Sequence, residues 1–213
     1  MYQTVLFDLD GTLTDPGEGI TNSVAYALKK REIEVADRKN LYCFIGPPLL
    51  DSFMKYYGFS KVEAMQAIHD YREYFSDRGI FENVPYEGIH AMLQTLKAQG
   101  KKLVLATSKP EAFAVRILER FDLAPYFDIA AGATMDEKRS KKGDVIAYAL
   151  TLLTEDEKRN IVMVGDREHD ILGAKENGLP AIGVLYGYGS REELEQAGPA
   201  AIAETVDELI TLL

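Results

Sequence analysis

The sequence predicts an α/β fold: a parallel sheet core flanked by helices and interrupted by an inserted all-helical module. Three observations carry this expectation. Apolar, β-rich runs recur at residues 4–9, 102–107, 127–132, 160–165 and 180–185, and they are continuous rather than alternating, as expected of strands covered on both faces. Helical patterns stand between most of them. About ninety residues separate the first run from the second, where a parallel crossover needs only about a dozen.

The first run, VLFDLDGTLTD, climbs through apolar residues and ends in two carboxylates. Asp8 and Asp10 share the two-residue period of a strand and project to one side, with Phe7 and Leu9 on the other. Neighbouring carboxylates repel, so the pair calls for a divalent cation or a shared proton. A strand end with two solvated acids explains an isolated DxD equally well, so the rest of the chain must decide.

Asp15-Pro16 reads as an N-cap with proline at the first helical position, and Glu18 is placed for a capping box. Ile20, Val24 and Leu28 follow on one face. Leu49, Leu50, Phe53, Met54 and Tyr57 form a second helical stripe that closes at Gly58. Ser60 and Glu63 form another capping-box pattern, which opens a helix with Ala64, Ile68, Tyr71 and Phe75 on one side. These aromatic stripes are expected to be core. Residues 15–84 therefore make an inserted all-helical module, and residues 1–14 with 85–213 make the sheet domain. The two crossings, GTLTDPGEG and ENVPYEG, are rich in turn formers and expected to hinge. Ile89, Met92, Leu93 and Leu96 give a further helix that ends at Gly100.

Composition excludes several classes. The 213 residues suffice for a large core, and a single cysteine, Cys43, rules out internal disulfides and reads as small core filling. The start carries no charged leader and the chain has no long apolar span, so a soluble, cytoplasmic protein with no membrane partner is expected. A net charge of −10 disfavours nucleic acid polymers as partners. An anionic substrate then needs a locally positive pocket. Oligomeric state is not legible.

In an open parallel sheet, ligands bind beyond the carboxyl ends of the strands. Those ends carry Asp8, Asp10, Gly11 and Thr12; then Thr107, Ser108 and Lys109; then Asp166 and Asp170. The basic run KRSKKGD opens a helix whose Val145, Ile146 and Ala149 face inward. Carboxylates, hydroxyls and a lysine at one rim suit a hard cation and a phosphate, because magnesium takes one or two carboxylates plus water and phosphate oxygens. Asp8, Asp10 and Asp166 are the candidate ligands. Gly11 permits close backbone approach, so the amides after Asp10 are candidates to receive phosphate oxygens.

DLDGT, a hydroxyl residue after the second strand, a lysine opening a later helix and GDxxxD after a further strand together resemble the haloacid dehalogenase-like hydrolases. The resemblance covers essentially the whole chain, including a helical cap inserted after the first motif, as in phosphoglycolate phosphatases and 5'-nucleotidase-like relatives. It implies a Rossmann-like core and a Mg2+-dependent phosphatase acting on small phosphorylated metabolites. By the same resemblance Asp8 is the nucleophile that becomes an aspartyl phosphate, and Asp10 the general acid and base. Thr107 binds the transferring phosphoryl group, and Lys142 positions Asp8 and the phosphate. Asp166 is a metal ligand, and Asp170 orients the metal's surroundings or the lysine. Gly11, Thr12 and Ser108 line the substrate.

Two signatures depart from the usual pattern. KKGD makes Lys141 a rival to Lys142, and GDREHD places Arg167 and His169 near the site. Lys109, Arg116 and Arg139 are expected to be solvated surface groups. A phosphomutase of the same family and a non-catalytic phosphate-binding protein are the alternatives to a phosphatase.

Overall fold

The structure, a computed structural model, describes residues 2–213. The chain opens with β1 (Thr4–Phe7) and a two-residue strand, β2 (Thr14–Asp15), and then leaves the sheet. Three helices follow, α1 (Gly17–Lys29), α2 (Leu49–Tyr57) and α3 (Lys61–Phe75), before the chain returns through β3 (Val84–Pro85). The remainder alternates helices and strands: α4 (Ile89–Ala98), β4 (Lys102–Pro110), α5 (Glu111–Arg120), β5 (Ile129–Ala133), α6 (Lys142–Thr151) and β6 (Ile161–Gly165). It closes with α7 (Glu168–Glu176), β7 (Ala181–Val184), α8 (Arg191–Ala197), β8 (Ala201–Ala203) and α9 (Val206–Leu212).

Six strands form one parallel sheet in the order β5-β4-β1-β6-β7-β8. All five apolar runs become strands of it, and the fold is the expected Rossmann-like α/β core with a helical cap. Continuous apolarity has its expected cause. Val5, Phe7, Leu105 and Val164 pack on one face with Ile89, Met92, Phe113 and Leu209. Leu6, Val104 and Met163 pack on the other with Val145, Ile146 and Ile171. Strand order reverses at β1, which pairs with β4 on one side and β6 on the other, so the crevice beyond Phe7 lies at the topological switch point.

The two crossings run side by side. β2 and β3 pair antiparallel, with Thr14 opposite Pro85 and Asp15 opposite Val84. Tyr86 N donates to Leu13 O at 3.1 Å and Gly19 N to Glu82 O at 3.0 Å. The approach is close enough that a Cβ on Gly19 would sit 1.9 Å from Gly79 O.

Within the insert, Ser60 and Glu63 make the expected reciprocal capping box on α3, and Gly58 ends α2 with φ +66°. Ala64, Ile68, Tyr71 and Phe75 are buried as expected, and Cys43 is half-buried against the core. The start of α1 departs from expectation. Pro16, not Asp15, precedes the first helical residue, and no capping box forms. Asp15 Oδ1 still accepts from Gly17 N at 2.9 Å, but the same oxygen also receives the Tyr188 hydroxyl, so the residue joins cap, hinge and core.

Candidate active site

The rim of the sheet gathers the acids that the sequence scatters over 160 residues. Asp8 continues the β1 ladder by donating from its N to Val164 O at 2.9 Å, which fixes its side chain at the β1/β6 crevice. Asp8, Asp10, Asp166 and Asp170 are all buried. Lys142, the first residue of α6, is buried with them. Its Nζ lies 2.7 Å from Asp8 Oδ1 and 2.8 Å from Asp170 Oδ1, and it donates to Ala106 O at 3.0 Å. Burial disfavours its charge, yet the two carboxylates hold its pKa above the ordinary value. Lys141, one residue earlier, is exposed.

Asp166 sits at the end of β6 inside a backbone cradle. Gly11, with φ +81°, lies so near that a Cβ there would meet Asp166 Oδ2 at 2.2 Å. Thr12 Oγ1 lies 3.4 Å from Asp166 Oδ1, and Tyr188 N donates to Oδ2 at 2.8 Å. A Cβ on Gly187 would come within 2.5 Å of the same carboxylate, and one on Gly189 within 1.8 Å of the Asp166 carbonyl oxygen. Thr12 was expected at the substrate; its hydroxyl is directed at Asp166 instead. The LYGYGS segment, residues 185–190, was not singled out from the sequence, although its alternating glycines mark a backbone that must approach something closely.

Ligand oxygens of Asp8, Asp166 and Asp170 lie within 4.8 Å of one another. Burial, followed by the charges of Asp170 and Asp8, drives Asp166 well above the usual carboxylate range. Burial also pushes Asp170 up to about 6, opposed by Lys142. Asp8 Oδ1 and Asp170 Oδ1 touch the lysine as ion pairs but receive no aligned hydrogen bond. Three buried acids against one ammonium leave excess negative charge and acceptor capacity, so the residues present fit a hard divalent cation. Asp10, expected among the ligands, stands outside this cluster.

Its Oδ2 is paired instead with Lys109 Nζ at 2.8 Å. Lys109 is therefore not the solvated group expected from the sequence. β4 carries an irregularity between Thr107 and Pro110 that turns the lysine inward, where its ammonium lies 4.5 Å from the centroid of the Phe75 ring in α3. Thr107 Oγ1 accepts from Lys109 N at 3.2 Å, which leaves the hydroxyl hydrogen free to donate. Burial raises the Asp10 pKa in spite of Lys109.

Arg116 and Arg139 are likewise half-buried rather than solvated. Arg116 donates to Ser76 O at 2.9 Å and so ties α5 to the end of α3. Arg139 donates to Gly132 O at 3.0 Å and stacks on Tyr148. Arg167 pairs with Glu193 at 2.8 Å and donates to Ile45 O, another cap contact. His169 is half-buried, its pKa lowered by desolvation, and it lines a depression with Ser108 and Lys141. A cavity between cap and core opens onto Asp10, Ser108 and Lys109. Among the described residues no helix is long and apolar enough to cross a membrane.

Known proteins are similar to this chain in sequence and fold. The chain is 44% identical over 201 residues to a 5'-nucleotidase of Pseudomonas aeruginosa, spanning 93% of this chain and 89% of that one. It is 38% identical over 209 residues to the tyrosine-protein kinase PtkA of Mycobacterium tuberculosis, spanning 97% and 71% respectively. The crystal structure of a predicted phosphatase from Clostridium acetobutylicum superposes with a TM-score of 0.95 at 52% identity, covering 100% of this chain and 98% of that one. The profile of the haloacid dehalogenase-like hydrolases matches residues 5–184, from the strand that leads to Asp8 through the strand beyond Asp166, and the chain belongs to that family of enzymes.

Proposed function

We propose that the protein is a magnesium-dependent phosphatase that hydrolyses small phosphomonoesters through an aspartyl phosphate on Asp8. The observation that carries this reading is the buried contact of Lys142 with Asp8 at 2.7 Å, at the rim where Asp166 and Asp170 converge. A lysine so placed aligns the nucleophile and neutralises the phosphoryl oxygens that arrive beside it.

Asp8 attacks phosphorus through a carboxylate oxygen as the bond to the leaving oxygen breaks. Asp10 gives its proton to that oxygen; burial favours the protonated form the step requires. Water then attacks the same phosphorus, Asp10 takes the proton of that water, and Asp8 and phosphate are released. The Thr107 hydroxyl donates to a phosphoryl oxygen, and the Ser108 hydroxyl faces the leaving group. Asp8 and Asp166, with Asp170 beside them, are the residues that would hold magnesium, which supplies charge neutralisation at the phosphoryl oxygens. Residues 15–84 act as a cap that excludes bulk water, turning about the paired strands β2 and β3.

The likeness to a 5'-nucleotidase supports phosphomonoester hydrolysis, and the likeness to a kinase supports phosphoryl transfer as the shared chemistry. The test is release of phosphate from an aryl phosphate, with and without magnesium and with no nucleotide present. Sustained, magnesium-dependent release is the expected result. Release only after a sugar bisphosphate is added indicates a mutase. Phosphate binding without release indicates a binding protein, and transfer from ATP to tyrosine without release indicates a kinase.

A further inference from the structure

The cavity above Asp10 is walled largely by apolar side chains, among them Phe44, Leu49, Tyr71, Phe75 and Phe113. The charged residues in its wall are Asp10, Lys109, Arg72 and Glu137, and they occur in matched pairs. Lys109 is held on Asp10 at the reacting end of the cavity, where its charge serves the phosphoryl group once Asp10 carries the proton for transfer. Arg72, from cap helix α3, pairs through Nη2 with Glu137 Oε1 and donates through Nη1 to Met135 O at 3.0 Å. Both side chains of this second pair are mostly buried, 20% and 12% exposed. Glu137 is held there with φ +61°, a left-handed backbone conformation uncommon for a residue with a side chain. Thr134 N, which donates to Arg139 O at 2.9 Å, helps fix the surrounding loop.

A leaving group with its own carboxylate or phosphate needs an unmatched cation when it enters such a space, because a buried charge without a partner is costly. Arg72 is the cation of the cap wall, and Glu137 already matches it. Resting on the phosphatase reading above, we infer that the Arg72–Glu137 pair sets specificity for phosphomonoesters of uncharged alcohols and selects against those whose leaving group is itself anionic. Glu137 is the rejecting element: it cancels the guanidinium that an anionic leaving group would otherwise use.

The experiment compares two esters of nearly equal size, 2-hydroxyethyl phosphate and 2-phosphoglycolate, by kcat/KM, with an aryl phosphate as a control for turnover. The wild-type protein should favour the hydroxyethyl ester by about 10- to 100-fold, because the carboxylate of 2-phosphoglycolate enters the cavity with no free cation to receive it. Glu137→Gln keeps the shape and frees Arg72, so the ratio should move toward the carboxylated ester by about tenfold or more. Arg72→Met leaves Glu137 unmatched, so the ratio should move the other way. A wild-type ratio near one, or in favour of 2-phosphoglycolate, overturns the inference, and this ratio decides alone if a variant fails to fold. An unchanged ratio in well-folded Glu137→Gln overturns it too. Hydrolysis of the aryl phosphate shows the phosphatase reading intact in either case; no turnover of any of the three esters removes that reading, and the inference with it.

Discussion

Lys141 and Lys142 are neighbours in sequence and opposites in environment: one is exposed, and the other is buried against Asp8, Asp170 and Ala106 O. Lys142→Ala leaves two buried carboxylates unmatched, so it should abolish turnover and cost about 3–5 kcal/mol of stability. Lys141→Ala should change both little. Rates together with urea midpoints for the two variants check this, and a crippled Lys141→Ala with an active Lys142→Ala contradicts it. For Asp10→Asn, single-turnover transfer to Asp8 should fall about 10²- to 10⁴-fold with alkyl esters and much less with an aryl phosphate, whose leaving oxygen needs no proton. Equal losses argue against a leaving-group acid. From sequence Lys142 is preferred and Lys141 stays a rival, because Lys142 lies three and four residues before Val145 and Ile146, on the face expected to pack against the sheet. Lys109 was not legible in this way. Its inward turn depends on a strand irregularity, and its partners are distant in sequence, Asp10 at the end of the first strand and Phe75 in the cap.

At the scale of elements, long apolar runs and capping boxes were legible because each is a local pattern with a local cause. The sheet strands foreseen are four to nine residues long, and Ser60 with Glu63 satisfies backbone donors within one turn. β8, three residues of alanine and isoleucine, and the two-residue strands β2 and β3 were not legible. Runs so short have no periodicity: β2 and β3 pair because the two chain crossings are brought together, and β8 pairs as the edge strand beside β7. That closeness has a testable consequence at Gly19. Gly19→Ala drives a methyl group into the Gly79 carbonyl and should lower stability by roughly 1–3 kcal/mol, the scale of overpacking against backbone that cannot yield. An unchanged urea midpoint would mean that the crossings are not packed as described. Ser60→Ala, by contrast, removes one side-chain cap and should cost about 1 kcal/mol.

Across the whole molecule, the acid cluster links stability to pH and, as the proposed magnesium site, to metal. The folded-state pKa values of Asp166 and Asp170 are raised above those of the unfolded chain, so the native state binds protons that the unfolded state releases. Their contribution is present in full at low pH and is lost as pH rises through the folded values, which for Asp170 means about 6. Without metal, this cluster should make the protein less stable at pH 8 than at pH 5.5. Magnesium requires the ionised carboxylates, so the rise in Tm that it produces should grow over the same interval. Thermal unfolding with and without magnesium at the two pH values checks this, and a magnesium effect independent of pH would mean that these acids are not its ligands.

Asp8 is proposed to carry the phosphoryl group during turnover. Acid quenching during turnover of an alkyl phosphomonoester, followed by mass mapping of the peptides, tests it most directly. A phosphate is expected on the peptide that contains Asp8, sensitive to hydroxylamine as an acyl phosphate is, and absent from a folded, inactive Asp8→Asn protein. A phosphate located on another residue, or undiminished turnover in Asp8→Asn, would contradict it.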